Sequence, residues 1–234
     1  VETICRSLAP HITGKVLAGV EVHAPKLRRP LPTAAELRAV TGQRITALER
    51  RAKYLIWHLD GGGALIIHLG MSGRLCYHHG PHPAELHTHL IFHFQEGGQL
   101  HFRDPRRFGS LDLAAPGELA GLPMLCELGV EPLSSPFTAE YFRERLGATR
   151  RVVKTGIMDQ RVVVGVGNIY ANEALFQAGI HPLRPGQSLS PAEGEALQLA
   201  IICVLGKAVE RGGTTLSDYR NADGEPGCFQ LDLA

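Results

Sequence analysis

The spacing of apolar positions changes character along the chain. TICRSLAPHITG, ending at Gly14, spaces its apolar residues as a short helix does. TAAELRAVTG carries a second helical pattern, with Thr33 placed to cap it. From Arg44 the pattern becomes short apolar runs cut by glycine turns: RITALERRAKYLIWHL, DGGG, ALIIHLGM, a histidine-rich loop, HTHLIFHF, QEGG, QLHFRD and SLDLA. Strands joined by tight glycine turns at this spacing predict an antiparallel sandwich or barrel. The second half reads differently. TAEYFRERL, RRVVKTGIMDQ and a segment from Asn168 follow helical spacing. SPAEGEALQLAIICVLGKAVERGG has the fullest helix signature: Ser190 as N-cap, Pro191 first in the helix, Glu193 completing a capping box, and Gly212 as the stop. PLSSPF, residues 132–137, reads as a linker. The expected class is α+β: an N-terminal antiparallel β-sandwich with flanking helices over 1–131, then a helical domain over 132–234. No internal repeat or low-complexity tract interrupts this.

Composition narrows the setting. With 44% hydrophobic and 20% charged residues the chain is expected to fold. A net charge of +1 points to no partner, so nucleic-acid affinity would have to come from local clusters of Lys and Arg. The five cysteines are scattered and form no C-x-x-C, which argues against a disulfide framework or a cysteine zinc site and suggests a reducing cytoplasm. No signal peptide or membrane-spanning run is evident, and no membrane partner is expected.

Several stretches carry candidate chemistry. VVVGVGNIYANEALF, Val162 to Phe176, has two glycines ahead of a helix. A dinucleotide fingerprint needs a strand before the loop and a third glycine, where this chain has Tyr170. Asn168 could instead cap the helix and leave free N–H groups as an anion seat, beside the basic residues Arg150, Arg151 and Lys154. That reads as a DNA-backbone grip, or as a plain helix hairpin with a solvated basic face. Alternation along RRAKYLIWHL puts Lys53 on the side of Leu55, Trp57 and Leu59, where it either snorkels to the rim or has a lowered pKa. Met71, in HLGMSG, sits on a tight turn and either packs back or acts as a wedge between bases. RDPRRFG sets Arg106, Arg107 and Phe108 after an Asp-Pro turn, a pattern suited to phosphate binding and base stacking, or to an exposed hairpin loop. His87, His89 and His93 share one face by parity, so a zinc hydrolase is a rival reading.

The motifs VET, RRAKYL, HLGMSG, DPRRFG, MDQRVVVGVGNIYANEALF, GIHP and GGTTLSDYRNADGEPGCFQ run in order across nearly the whole chain. Together they resemble the bacterial formamidopyrimidine-DNA glycosylases, and HLGMSG favours that branch over the related endonuclease VIII branch. The resemblance implies base-excision repair: oxidised purines such as 8-oxoguanine and formamidopyrimidines are flipped out and excised, and the abasic site is cut by β,δ-elimination through a Schiff base. It implies a helix–two-turn–helix second domain whose turn is the glycine loop. It casts Lys53 as the catalytic lysine. Met71, Arg106 and Phe108 become the residues that fill the gap left by the flipped base, with Arg106 also facing the orphaned cytosine. His87, Arg150, Lys154 and Asn168 become DNA contacts. The loop from Thr214 to Asp223, with Thr215 and Tyr219, becomes the segment over the extruded base. The implied partner is double-stranded DNA containing oxidised purines or abasic sites, met by a monomer.

The chain also departs from the family. The family's Pro-Glu-Leu-Pro-Glu, with the nucleophilic proline and a catalytic glutamate, does not precede Val-Glu-Thr here, and Glu2 does not inherit that role. The family's four-cysteine structural zinc finger and an arginine used in δ-elimination are not among these residues, so zinc ligands are absent from this chain. Thr88 stands where the family usually has Asp. The expectation is that these 234 residues alone are catalytically dead or impaired, with weakened DNA binding. A non-catalytic damaged-DNA-binding protein is the alternative.

Overall fold

The computed structural model of the protein describes residues 1–24, 26–148 and 150–212. Thr214, Thr215 and Tyr219 lie outside the described residues. The described chain divides into two compact units, one of residues 1–122 and one beginning at Pro123. The division falls ahead of PLSSPF, not within it. Proline and serine gave that stretch a linker's composition, but Phe137 is buried in the second unit's core with its ring 5.2 Å from that of Phe142, and Thr138 caps the next helix.

In the first unit α1 (Glu2–Ile12) buries Ile4, Cys5, Leu8 and Ile12, a helical stripe. β1 (Leu17–Val22) follows, then α2 (Ala34–Val40), which Thr33 and Glu36 hold in a capping box. Seven strands come next: β2 (Ile45–Arg51), β3 (Tyr54–Leu59), β4 (Ala64–His68), β5 (Arg74–His78), β6 (Thr88–Phe94), β7 (Gln99–Arg103) and β8 (Ser110–Ala114). They form two antiparallel four-stranded sheets, ordered β1-β6-β7-β5 and β2-β3-β4-β8. Leu55, Trp57, Leu65 and Ile67 from one sheet share a core with Leu90, Phe92, Leu100 and Phe102 from the other. The Trp57 and Phe92 rings lie 4.9 Å apart across it. This is the sandwich that the alternating runs predict.

Two strands escape the sequence pattern, β1 and β5, the latter inside the stretch read as a histidine-rich loop. Both are edge strands, and each buries a single residue, Leu17 or Leu75. With one neighbour and little buried face, an edge strand leaves only a faint apolar alternation.

The second unit is helical: α3 (Pro123–Cys126), α4 (Ala139–Gly147), α5 (Val153–Met158), α6 (Asn168–Gln177) and α7 (Pro191–Glu210). Phe142, Val153, Ile157, Val163, Val166, Ala171, Leu197 and Ile201 pack into its core. Ser190 and Glu193 close the capping box on α7 with Pro191 in the first turn, as the sequence predicts. Removing that cap by Ser190→Ala is expected to lower stability by about 1 kcal/mol, read by denaturant midpoint.

A buried histidine gives the first unit a pH dependence. The His101 ring is fully buried on β7, and its Nε2 lies 3.0 Å from Gln99 Oε1, so Nε2 donates. Burial, then the charges of His78, His82 and His93, hold its pKa down at about 4 against the opposing pull of the Glu85 carboxylate. Below the ordinary histidine value of 6.5 the unfolded chain takes up a proton that the folded chain refuses. Stability therefore falls as pH drops from about 6.5 to about 4. Thermal melting should record that fall, and it should be shallower in His101→Gln, which keeps a donor but cannot titrate.

Candidate nucleic-acid interface

In the first unit Lys53 is not on a strand. Arg51 pairs with Tyr54, so Ala52 and Lys53 form a two-residue turn between β2 and β3. Parity could not foresee this, because the turn falls inside one continuous apolar-and-basic run. Ala52 adopts a φ of 54°, and its carbonyl accepts a 3.2 Å hydrogen bond from Arg50 Nη1. Arg50 is itself held by Glu2 at 2.5 Å, and Glu2 also pairs with Arg6 at 2.7 Å. Glu2 thus braces the turn. Lys53 is half-buried, and that burial pushes its ammonium below the usual lysine range, where an amine is more readily deprotonated.

His68, which sequence reading passed over, ends β4 directly across from Tyr54, with ring centroids 5.0 Å apart. Burial, then the charges of Arg28 and Lys53, lower its pKa to about 4, so the ring is neutral near pH 7. Its Nδ1 accepts the Gly70 N–H at 3.0 Å, which leaves the proton on Nε2. The signal in sequence was the first letter of HLGMSG, next to the more conspicuous His-x-His.

Two turns carry the candidate wedge. The first, closed by Gly73 N–H to Leu69 O at 2.8 Å, holds Met71 69% exposed. The second, closed by Arg107 N–H to Asp104 O at 3.1 Å, exposes Arg106 and leaves Phe108 47% exposed. Large apolar side chains held out in water invite an apolar partner. The turns are joined beneath the surface. Asp104 is fully buried; its Oδ1 accepts Ser72 Oγ–H at 2.6 Å and its Oδ2 accepts Gly109 N–H at 2.7 Å. Ser72 Oγ accepts Arg106 N–H at 3.3 Å. Gly70 fits only as glycine: its φ is +64°, and a Cβ would lie 2.5 Å from the Phe108 carbonyl carbon.

The histidines do not converge. A register shift between Thr88 and Leu90 breaks the parity. His87 stands exposed before β6 with φ 68°, His89 is buried with Nε2 on Asp104 O at 2.8 Å, and His93 faces Glu21 at 3.3 Å. Among the described residues no three metal-ligating side chains gather, and the four described cysteines lie on four different elements. A structural zinc therefore has no ligand set among them. Thr88 buries a hydroxyl oxygen that has no hydrogen-bond partner.

In the second unit the glycine loop follows α5 with no strand before it, which removes the dinucleotide reading. Gly165 adopts φ +82°, and its N–H donates to Gln160 Oε1 at 2.9 Å. The same Gln160 amide donates to Met158 O at 3.0 Å and Val166 O at 3.3 Å, so one side chain clamps the loop. The cap of α6 is Gly167, not Asn168: Asn168 is the first helical residue, and no side chain caps the helix. Asn168 is exposed beside first-turn N–H groups, which suit an anion. Lys154 is half-buried on α5, whose start is tied by Val153 N–H to Arg184 O at 2.7 Å, and Arg150 is exposed ahead of it. Arg151 pairs with Asp159 at 3.0 Å.

Comparison with known proteins settles the family. The formamidopyrimidine-DNA glycosylase N-terminal domain matches residues 1–111, and the formamidopyrimidine-DNA glycosylase H2TH domain matches residues 128–220. The chain belongs to the formamidopyrimidine-DNA glycosylase family. It is 46% identical over 235 residues to the formamidopyrimidine-DNA glycosylase of Bacillus licheniformis, covering 100% of this chain and 85% of that protein. The protein of that name from Photobacterium profundum is likewise 46% identical over 238 residues, with the same coverage. Among solved structures, the MutM (Fpg) protein of Thermus thermophilus superposes with a TM-score of 0.87 at 41% identity, over 100% of this chain and 84% of that one. The Lactococcus lactis Fpg, solved with DNA containing an abasic site, gives 0.91 at 31% identity over 99% of this chain and 84% of that one. No helix among the described residues is long and apolar enough to cross a membrane.

Gly70→Ala is expected to destabilise the family fold here by about 3 kcal/mol, since backbone atoms of the neighbouring turn block the methyl and the conformation is left-handed. The drop in melting temperature measures it, with Gly14→Ala, open in space and also left-handed, isolating the cost of conformation.

Proposed function

We propose that this chain carries the DNA-recognition and lysine part of a base-excision glycosylase acting on oxidised purines (8-oxoguanine and formamidopyrimidines) in duplex DNA, with strand cleavage at the abasic site by β,δ-elimination through a Schiff base. The observation that carries the reading is the pair of exposed wedge residues, Met71 and Phe108, on two turns stitched by Asp104. A flipped-out nucleotide leaves a gap in the stack, and apolar side chains with a guanidinium can fill it. Arg106, exposed on the second turn, is assigned the orphaned base, which its guanidinium can meet with hydrogen-bond donors.

Lys53 supplies an amine whose burial favours its neutral form, which suits proton transfer during base loss and elimination. His87, exposed at the start of β6, is assigned a phosphate contact, a role that explains the histidine-rich strand without a metal. Arg150, Lys154 and Asn168 are assigned the backbone grip, and the N–H groups at the start of α6 suit a phosphate. Thr214, Thr215 and Tyr219 keep the role over the extruded base that the resemblance implies.

The resemblance assigns nucleophilic attack to a proline that is not among these 234 residues. The polypeptide as it stands is therefore expected to prefer abasic-site duplex over intact duplex, yet to give little adduct when the Schiff base is trapped with borohydride. Adding Pro-Glu-Leu-Pro-Glu ahead of Val1 should restore trapping. Full-yield trapping without the addition would sink the assignment of the nucleophile. An extended chain that binds abasic DNA but never forms an adduct would favour the alternative, a non-catalytic damaged-DNA-binding protein. Lys154→Ala should weaken binding across sequences and lower the slope of log affinity against log salt by about 1.

A further inference from the structure

We infer that Asp104 is a positioning residue: its buried carboxylate couples the Met71 turn to the Phe108 turn, so that the wedge enters a duplex as one rigid part. The inference deepens the proposed function and rests on it for the role of the wedge, but the coupling itself is a property of the folded chain.

Asp104 is bonded to both wedge turns and to the segment that carries His87. One oxygen takes the hydroxyl of Ser72, the neighbour of Met71; the other takes the N–H of Gly109, the neighbour of Phe108. Its own N–H donates to the His87 carbonyl at 3.0 Å, and its carbonyl accepts from His89 Nε2 at 2.8 Å. Ser72 Oγ relays the link to the Arg106 N–H. A buried charged acceptor holds its donors more strongly than a neutral one, and an unsatisfied buried charge is costly. Neither turn can therefore move far without breaking a charge-assisted bond. Gly70 packs against the Phe108 and Gly109 backbone, so the two turns are also in steric contact.

Rigidity matters because neither wedge residue is buried. Met71 is a flexible side chain in water, and Phe108 is half-exposed. Ordering them on binding costs side-chain and turn entropy, and a preorganised pair of turns reduces that cost. Asp104 is buried and acts through Ser72 and Gly109.

The test uses Ser72→Ala, which removes one arm and leaves the carboxylate, and Asp104→Asn, which disturbs both. The three methionines, labelled at the methyl carbon, report by NMR on Met71 in the first unit and on Met124 and Met158 in the second. Ser72→Ala should shift the Met71 methyl signal and also speed hydrogen exchange of the Gly109 amide, with Met124 and Met158 unmoved. An unchanged Gly109 amide in a folded Ser72→Ala protein overturns the coupling. In the binding arm, Ser72→Ala should lose on the order of tenfold in preference for abasic over intact duplex. That loss should vanish in a Met71→Ala/Phe108→Ala background, where there is no wedge to position. A loss of equal size in that background overturns the positioning role and leaves Ser72 merely structural. If the unaltered chain shows no preference for abasic duplex, the functional reading fails, and the Gly109 exchange decides the coupling alone.

Discussion

The carboxylate of Asp104 is fully buried, and both of its oxygens are occupied by donors from different turns. A charge withdrawn from water in this way must be met by hydrogen bonds or the fold loses several kcal/mol. The donors that meet it are Ser72 and Gly109, the flanking residues of the exposed Met71 and Phe108. Satisfaction of one buried group thus fixes where two apolar side chains leave the surface. The sandwich of the same unit supplies the buried setting, with Leu69, Leu75, Phe102 and Leu111 all in its core.

Backbone conformation tells a parallel story. Among the described residues, the non-glycine residues with positive φ are Ala52, His87 and Arg107. One precedes Lys53, one is itself a candidate DNA contact, and one separates Arg106 from Phe108. Left-handed conformation costs an ordinary residue about 1–2 kcal/mol, and it persists where the surroundings over-determine it. Here the surroundings are identifiable: Arg50 on the Ala52 carbonyl, Asp104 N–H on the His87 carbonyl, and the Asp104 carbonyl on the Arg107 N–H. The strain lies where side chains must point outward from a tight turn.

The second unit uses a different device for a similar end. Its glycine loop is ordered by an amide, Gln160, whose three hydrogen bonds span the residues from Met158 to Val166. Val163 and Val166 are buried below, so the loop delivers the start of α6 to a fixed place. No side chain caps the start of α6, and basic residues of the preceding segment add positive charge, a setting that suits an anion. Neither device needs a metal.

Much of this was written in local pattern. The capping boxes at Thr33 and Ser190, the alternation of β6, the glycine hairpins and the family motifs need only neighbours in sequence to be recognised. They determine the fold class, the family and the residue types at the candidate interface. Other features were decided by contacts between residues far apart in the chain. Edge strands β1 and β5 exist because β6 and β7 offer them hydrogen bonds, not because their own residues alternate. The second unit begins at Pro123 rather than at 132, and Val130 packs against its core. Lys53 left the strand because Arg51 and Tyr54 paired across it, and one register shift at the start of β6 broke the shared face of His87, His89 and His93. Asp104 gave no sign of its importance in DPRRFG, where an aspartate before proline reads as a turn former. Sequence alone determined which side chains were present and which elements they favour. Only tertiary structure decided which carboxylate would be buried and which donors would answer it, because burial and hydrogen-bond satisfaction are set by the whole packed unit rather than by neighbours along the chain.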